Sequence, residues 1–404
     1  MITNRYNLPH FYINSDLLNY LPLLFAAIVG AGSSLLMPSV IGAYTNYSDL
    51  NPSQISIMTS LEMLGVLITS ASSFLWLRLI NFHKVVFMML MLLFMTNSIN
   101  MLSVSLNWAS YSLFIIRFLA GLETGIIYAI AVVAIAKQQN AVKLFSSLIS
   151  CQIVYGTIGF SCIAAISQYL GLASIYIFFN FFILLTLIVC FFFDGFSKSY
   201  DRNYKQNRTL KNNYKDSQLL LKIVLAIVLY YVVQGSVWAY IEPIGISLGL
   251  TTLQIGSILS IGFTLSIVGS LWCLKIYKRL GQRVTVWLII CLQVICLLAL
   301  NYIKASQWVL YLFAITTIVY QILWSLIVPL MMAVLCLIDN TKQYSAWSVS
   351  AFKIGLIVGP LLAATVINLS GYEILINISC ILLVISGLLL THALKNHVLK
   401  SSFK

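Results

Sequence analysis

Twelve long apolar runs constrain this chain more than any other feature. A transmembrane helix needs about 20 mostly apolar residues, and only helices or closed barrels satisfy the backbone in lipid. The runs lack the polar and apolar alternation of barrel strands. The sequence therefore predicts an all-α integral membrane protein with twelve transmembrane helices. The runs lie at about 17–44, 53–77, 85–104, 110–136, 144–170, 172–193, 218–248, 253–275, 284–303, 309–337, 344–370 and 372–393.

The composition excludes a soluble protein, because only 8% of the residues are charged and 61% are hydrophobic. Soluble domains normally carry about 25% charged residues. The longest polar stretch, 194–217, is too short for a folded domain. Because only Arg5 precedes the long first run as a basic residue, we expect that run to stay as a span and not to be cleaved as a signal peptide.

The basic residues predict the orientation of the chain in the membrane. If the N-terminus is cytoplasmic, nearly all of the 23 Lys and Arg residues fall on the inside, and the outside loops hold only Lys304. This bias predicts that both termini are cytoplasmic. It also accounts for the net charge of +13 without nucleic acid as a partner. We expect a monomer in a bacterial inner (cytoplasmic) membrane.

No cofactor or metal is expected. All eight cysteines lie within apolar runs without a CxxC motif, and the four histidines lie at segment ends or in the tails. Buried cysteines in such runs are more often small apolar residues than ligands.

The chain divides into two similar halves. A basic linker, 194–217, separates an N-terminal unit, 1–193, from a C-terminal unit, 218–404. Gln54 opens the second run and Gln254 opens the eighth in a similar local sequence. The repeat predicts two pseudo-symmetric six-helix bundles, the arrangement that many carriers use for alternating access.

Two motifs carry a family resemblance. The fourth span contains Arg117 followed by Gly121 and Gly125, and the loop after the eighth span is basic around a glycine. Both resemble motifs of the major facilitator superfamily, although the loop after the second span lacks the usual acidic residue and glycine. The resemblance implies that spans one, four, seven and ten line a central cavity. It also implies that the basic loop holds the cytoplasmic end together. The loop residues are Lys278, Arg279, Gly281 and Arg283.

Five ionisable side chains are predicted within spans. Each costs at least about 2.5–3.5 kcal/mol at the bilayer centre unless it is paired or hydrated. We therefore expect them to face a cavity or one another. They are Glu62, Arg117, Glu123, Glu242 and Lys353.

The fourth span offers two of these candidates. Arg117 shares a helix face with Gly121 and Tyr128 and suits either recognition of an anion or pairing with a carboxylate. Glu123 lies about 9 Å further along the axis and on another face, so the two cannot easily pair. Glu123 is a candidate proton carrier, or else a carboxyl satisfied by a neighbouring helix.

The seventh span contains a stripe of polar and aromatic residues at helical spacing. Tyr231, Gln234, Trp238 and Glu242 would share one face and line the cavity. The alternative is an interfacial aromatic belt with a capping glutamate. The tenth span offers a similar but weaker set, in which chance stripes are expected because aromatic residues are abundant. It comprises Tyr320, Gln321 and Trp324.

Glu62 and Lys353 form a candidate latch between the bundles. The resemblance implies that the second and eleventh spans meet, although the two residues differ in estimated depth by about 10 Å. We expect the segment from Gly355 to Gly359 to serve close helix packing.

The leading hypothesis is a secondary active transporter of a small organic solute, anionic or ring-bearing, driven by a proton gradient through rocker-switch alternating access. Export of hydrophobic drugs or siderophore-like products is the first alternative. A transporter-like sensor that binds solute without moving it is the second. An enzyme is not expected, because the outer loops offer only Asp49 and Glu373 as acids and no ATP-binding motif is present.

Overall fold

The computed structural model describes residues 20–77, 79–105, 110–136, 141–192, 214–303, 308–338 and 345–396. The described part is helical, as the apolar runs predict. A π-helix, Gln234–Trp238, joins α9 to α10. The helices are α1 (Leu21–Leu35), α2 (Met37–Tyr47), α3 (Pro52–Ala71), α4 (Ser73–Trp76), α5 (Phe82–Ser105), α6 (Ser110–Ala136), α7 (Ala141–Leu170), α8 (Ala173–Phe192), α9 (Tyr214–Val233), α10 (Ile241–Ser247), α11 (Thr252–Leu280), α12 (Gln282–Tyr302), α13 (Val309–Ile338) and α14 (Ser345–Asn396).

Twelve membrane spans follow from these helices. Ten segments are long and apolar enough to cross a membrane, and α1 with α2 forms one more span that is bent by 49°. The segment Ala351–Ala393 within α14 contains a break at Gly371, where φ is 81°, and so corresponds to two spans. The predicted fold class of two six-helix bundles is confirmed.

The repeat is visible in how the second and eighth spans begin. Asn51 accepts a hydrogen bond from the Gln54 backbone N–H at 2.8 Å, and the Gln54 side chain accepts one from the Asn51 N–H at 2.9 Å. Thr251 and Gln254 form the same reciprocal pair at 3.3 and 3.0 Å. These capping boxes satisfy N–H groups that a helix start leaves free. They place α3 and α11 at equivalent positions of the repeat.

Glycines with positive φ form the tight turns at both faces. Gly171, Gly249 and Gly371 lie on one face, which we call the outer face according to the predicted topology. Gly281, with φ of 78°, ends α11 on the opposite, inner face. A residue with a Cβ is strained in this conformation, so these positions favour glycine.

Close helix contacts rely on glycine in both bundles. A Cβ added to Gly121 of α6 would meet the backbone carbonyl of Glu62 in α3. In the C-terminal bundle, Gly235 lies against Gly355 and Gly359 of α14. The predicted packing role of this glycine pair is confirmed, because only small residues let two backbones approach so closely.

The two bundles contact each other in their outer halves. The Ser56 and Tyr240 hydroxyls hydrogen-bond, and Ser60 donates to the Ile357 carbonyl at 2.8 Å. Asn368 donates to the Ser53 hydroxyl at 2.7 Å nearer the outer face. The chain is therefore closed towards the outer face.

Candidate functional site

A buried ion pair holds the second and fourth spans together. Arg117 is 1% exposed and Glu62 is 2% exposed. The Arg117 guanidinium donates to the Glu62 carboxylate, and also to the Ser33 hydroxyl at 3.3 Å. The close approach of the helices at Gly121 places these side chains together. Of the two alternatives for Arg117, the structure places the residue in a carboxylate pair.

Aromatic and polar groups surround this ion pair. The Arg117 guanidinium lies 5.9 Å from the centre of the Tyr176 ring, a cation–π distance, and the Tyr176 hydroxyl hydrogen-bonds to Tyr44. A cavity of about 20 Å³ beside the pair is lined by Ser33 and Tyr155 among others. This volume suffices for about one water molecule. The Arg117 Nε has no hydrogen-bond partner among the described residues.

Lys353 adds a second cation at the interface between the bundles. It is 9% exposed, and its charge interacts with that of Glu62. No described carboxylate lies within the 4.0 Å of an ion pair with it. The Glu62–Lys353 latch is therefore not formed in this structure, because Glu62 binds Arg117. We call Glu62, Arg117 and Lys353 the charge cluster; with all three groups ionised, it has a net charge of +1.

Glu242 belongs to the C-terminal bundle and lies where that bundle contacts the first span. It is 2% exposed, and its carboxyl interacts with the Ser39 hydroxyl of α2. A Cβ added to Gly42 would meet this carboxyl, so the glycine makes room for it. No described cation forms an ion pair with Glu242. An ionised carboxylate in such a place is costly.

Glu123 points towards the third span. Its Oε1 accepts a hydrogen bond from Thr96 of α5 at 2.9 Å, and its Oε2 has no partner among the described residues. No hydrogen bond or ion pair joins Glu123 to a described residue of the C-terminal bundle. Of the two alternatives for Glu123, the hydrogen bond from Thr96 favours a contact with a neighbouring helix over a group in the central pathway.

The seventh-span residues do not share one set of neighbours as the stripe predicts. Gln234 points into its own bundle and donates to the Tyr230 and Tyr320 hydroxyls, both at 3.1 Å. Trp238 contacts the other bundle through Phe160, with ring centres 6.0 Å apart. The cause is the π-helix at Gln234–Trp238, which breaks the regular 3.6-residue period.

Aromatic side chains of four spans meet at the bundle interface. Trp238 and Trp324 stack on either side of Phe263, with ring centres 6.4 and 6.5 Å away, and Phe160 packs edge-on against Phe263. We call these four residues the aromatic cluster. It includes the predicted tryptophans of the seventh and tenth spans and adds Phe263 and Phe160, which sequence reasoning missed because nothing distinguishes them from other apolar residues.

Three further predicted residues lie near the interface or inside the C-terminal bundle. The ring centres of Tyr231 and Phe352 lie 4.5 Å apart. Tyr128 of the fourth span lies near enough to Tyr231 for an electrostatic interaction. Gln321 is buried at 3% exposure, lies against Gly262, and has no hydrogen-bond partner for either amide atom among the described residues.

Sequence reasoning also missed the polar partners inside each bundle. Gln293 of α12 donates to the Tyr230 hydroxyl at 2.9 Å and extends the Gln234 network. A polar residue in the middle of the ninth predicted span was a usable signal, since such groups need a partner. Tyr44 and Tyr176 carried no comparable signal, because tyrosine is common throughout this chain.

The predicted inner loop has the expected turn but no observed charge partner. Lys278 and Arg279 are exposed in the last turn of α11, where cations suit the negative end of the helix. Gly281 forms the turn, and Arg283 is the second residue of the next helix. None of the three basic residues forms an ion pair with a described residue of the N-terminal bundle.

The comparisons with known proteins agree with this architecture. The sequence model of the Major Facilitator Superfamily matches residues 23–338. No curated protein matches the chain. A mutant of the nucleoside transporter NupG has a similar structure, with a TM-score of 0.74 at 11% identity over 93% of this chain and 99% of that one.

Two further solved structures share the fold. The xylose transporter XylE from E. coli aligns with a TM-score of 0.74 at 12% identity, over 96% of this chain and 99% of that one. A bacterial homologue of the iron transporter ferroportin aligns with a TM-score of 0.67 at 14% identity, over 94% and 99%. At these identities the likeness concerns the fold.

Proposed function

The chain belongs to the Major Facilitator Superfamily, and from that premise we propose that it is a secondary active transporter of a small organic anion, coupled to protons. Transport as such follows from the family and the fold, and the solved neighbours carry solutes as different as nucleosides and xylose. The class of solute and the coupling ion are inferred from the site.

The charge cluster is the observation that supports an anionic solute. Lys353 is buried at the interface between the bundles, and no described carboxylate pairs with it. A buried cation without a counter-charge is costly. Because Glu62 already pairs with Arg117, a solute carboxylate or phosphate that reaches the interface would complete the charge balance of the cluster.

Glu242 is the candidate for proton coupling. It belongs to the C-terminal bundle but touches Ser39 and Gly42 of the N-terminal bundle. Separation of the outer halves would expose this carboxyl to water, where it can ionise, whereas closure returns it to a dry contact that favours the neutral form. A proton taken up on closing and released on opening would link transport to the gradient. Glu123 lies away from this contact.

The solute test begins with ligand stabilisation of the purified protein. Carboxylates and organophosphates, with sugars and nucleosides as neutral controls, are screened for a raised unfolding midpoint. A ligand at 100 times its Kd stabilises by about 2.7 kcal/mol. We expect anionic hits, and we expect uptake of the best hit into proteoliposomes to be lost in Lys353→Gln. Lys275→Gln, an exposed lysine of α11, is the matched control and should transport normally. Hits confined to neutral solutes, or full uptake by Lys353→Gln, would contradict the proposal.

The coupling test uses Glu242→Gln. This substitution keeps the size of the side chain and fixes it in a neutral form. We expect uptake against a concentration gradient to be abolished while solute exchange across proteoliposomes at equal concentrations continues. Glu123→Gln is the matched control, and we expect it to retain uphill uptake. If Glu242→Gln accumulates solute as the wild type does, Glu242 has no part in coupling.

The aromatic cluster favours one second candidate, the export of hydrophobic ring-bearing compounds. Its rings offer stacking surfaces at the bundle interface. Stabilisation by cationic or neutral aromatic drugs, with none by anions, would favour this candidate.

Under either candidate we propose a monomer in the inner membrane, with both termini cytoplasmic and two units at 1–193 and 218–404. The basic bias of the loops supports this orientation.

A further inference from the structure

A groove at the inner face of the C-terminal bundle combines basic and apolar side chains. It has a volume of about 620 Å³ and lies among the seventh, ninth and twelfth spans. Lys222, Arg283 and His392 contribute basic groups to it, whereas Trp287 and Leu388 contribute apolar surface. We call this the basic groove. It lies apart from the charge cluster and the outer contacts, so transport as proposed above leaves it unused.

The basic side chains of the groove lie at one depth. Lys222 is the second residue of the apolar segment Leu221–Ser247, and Arg283 is the second residue of Gln282–Tyr302. His392 is the last but one residue of Ala351–Ala393. Each basic group therefore lies at the boundary between apolar span and water, which is the level of the phosphates of lipid headgroups.

No described carboxylate neutralises these groups. The carboxylates whose side chains the structure describes lie within spans or at the outer face. They are Asp49, Glu62, Glu123, Glu242 and Glu373. Lys222 and Arg283 form no ion pair with a described residue. The groove is thus a positive site with an apolar wall.

We propose that the basic groove binds an anionic phospholipid. Lys222 and Arg283 hold the headgroup phosphate, His392 offers a hydrogen bond, and one acyl chain follows the exposed side of Leu388, which is 54% exposed. Basic pockets between transmembrane helices on the inner side suit anionic headgroups, and the paired apolar wall selects a lipid over a free anion. This inference does not rest on the proposed function.

The test measures lipid binding to the full chain in detergent by native mass spectrometry and by the unfolding midpoint. The probes are dioleoylphosphatidylglycerol, dioleoylphosphatidylcholine with the same acyl chains, and inorganic phosphate. We expect saturable binding of the phosphatidylglycerol only. The double variant Lys222→Gln with Arg283→Gln should bind it about 30-fold more weakly, at about tenfold per 1.4 kcal/mol and about 1 kcal/mol for each cation.

Two further variants keep the result interpretable. Lys84→Gln removes an exposed lysine near the start of α5, on the same face of the other bundle, and should bind as the wild type does. Leu388→Trp keeps both cations but fills the apolar wall, and should also weaken binding. It provides a second measurement if the double variant does not fold.

Three outcomes would overturn the proposal. The first is equal binding of the two lipids, or equal binding of phosphatidylglycerol by wild type and double variant. The second is stabilisation by inorganic phosphate as strong as that by the lipid, which would assign a free-anion site. The third concerns a variant in which the three aspartates of the linker 194–217 are replaced by asparagine. If only this variant binds phosphatidylglycerol, the linker and not a lipid occupies the groove in the wild type. The aspartates are Asp194, Asp201 and Asp216.

Discussion

At one equivalent helix contact, the two bundles contain different kinds of side chain. Glu62 and Gly262 each lie eleven residues after the N-cap of their span. Glu62 pairs with Arg117 of the fourth span, whereas Gly262 lies against the uncharged side chain of Gln321 in the tenth. The equivalent helix contact therefore contains a buried ion pair in one bundle and uncharged groups in the other.

The difference separates what the fold needs from what the site uses. The C-terminal bundle shows that these two spans pack without any charge, and its buried polar groups form a neutral network through Gln234, Tyr230 and Tyr320. Desolvating two charges is expensive, and a buried pair is often no more stabilising than apolar residues. We infer that Glu62 and Arg117 serve the solute site proposed above rather than helix packing.

The largest effect is expected from breaking the ion pair on one side. Glu62→Gln leaves the Arg117 guanidinium buried without a counter-charge, which costs about 3–5 kcal/mol. We expect a strongly lowered unfolding midpoint or a loss of monodisperse protein in size-exclusion chromatography.

The matched control copies the other bundle. Glu62→Gly together with Arg117→Gln transfers the neutral pair of the C-terminal bundle into the N-terminal one. We expect this double variant to be more stable than Glu62→Gln and inactive in transport. If the double variant is no more stable than Glu62→Gln, the charges are needed for packing and the inference above fails.

An intermediate effect is expected from adding a methyl group at equivalent helix contacts. In Gly121→Ala the new Cβ meets the Glu62 backbone carbonyl, which cannot move without shifting α3. Overpacking of this kind costs about 1–3 kcal/mol. In Gly262→Ala the new Cβ meets the far end of the Gln321 side chain, which can rotate away, and alanine favours the helix by about 1 kcal/mol. Unfolding midpoints should fall for the first and stay or rise for the second. Equal losses would contradict the difference between the two contacts.

Much of the fold could be predicted from the sequence, because lipid permits few alternatives. Helices must satisfy their own backbone, so apolar length alone fixed the spans. The exceptions are local. The bend after Leu35 in the first span lies just before Pro38, which has no backbone N–H to continue the helix. The position of the π-helix in the seventh span could not be predicted from the apolar pattern.

The site was predicted less well than the fold, since residue type and depth do not determine a partner. The five charged residues were found because charge within a span is costly, but Glu62 binds Arg117 and not Lys353. The choice rests on how closely α3 and α6 approach at Gly121. The hydrogen bond between Thr96 and Glu123 could not be predicted either, because the crossing of two helices sets the position of Thr96 relative to Glu123.

The smallest effect is expected where the C-terminal bundle leaves a polar group unused. Gln321→Leu removes a buried amide that has no partner among the described residues. Removing an unsatisfied buried polar group should raise stability by about 1–2 kcal/mol, seen as a higher unfolding midpoint. Gln234→Leu is the matched control, and it should lower the midpoint because the Gln234 amide donates to Tyr230 and Tyr320. If Gln321→Leu also lowers the midpoint, its amide has a role that the neutral contact with Gly262 does not explain. The two bundles would then both carry a specific polar contact at this position.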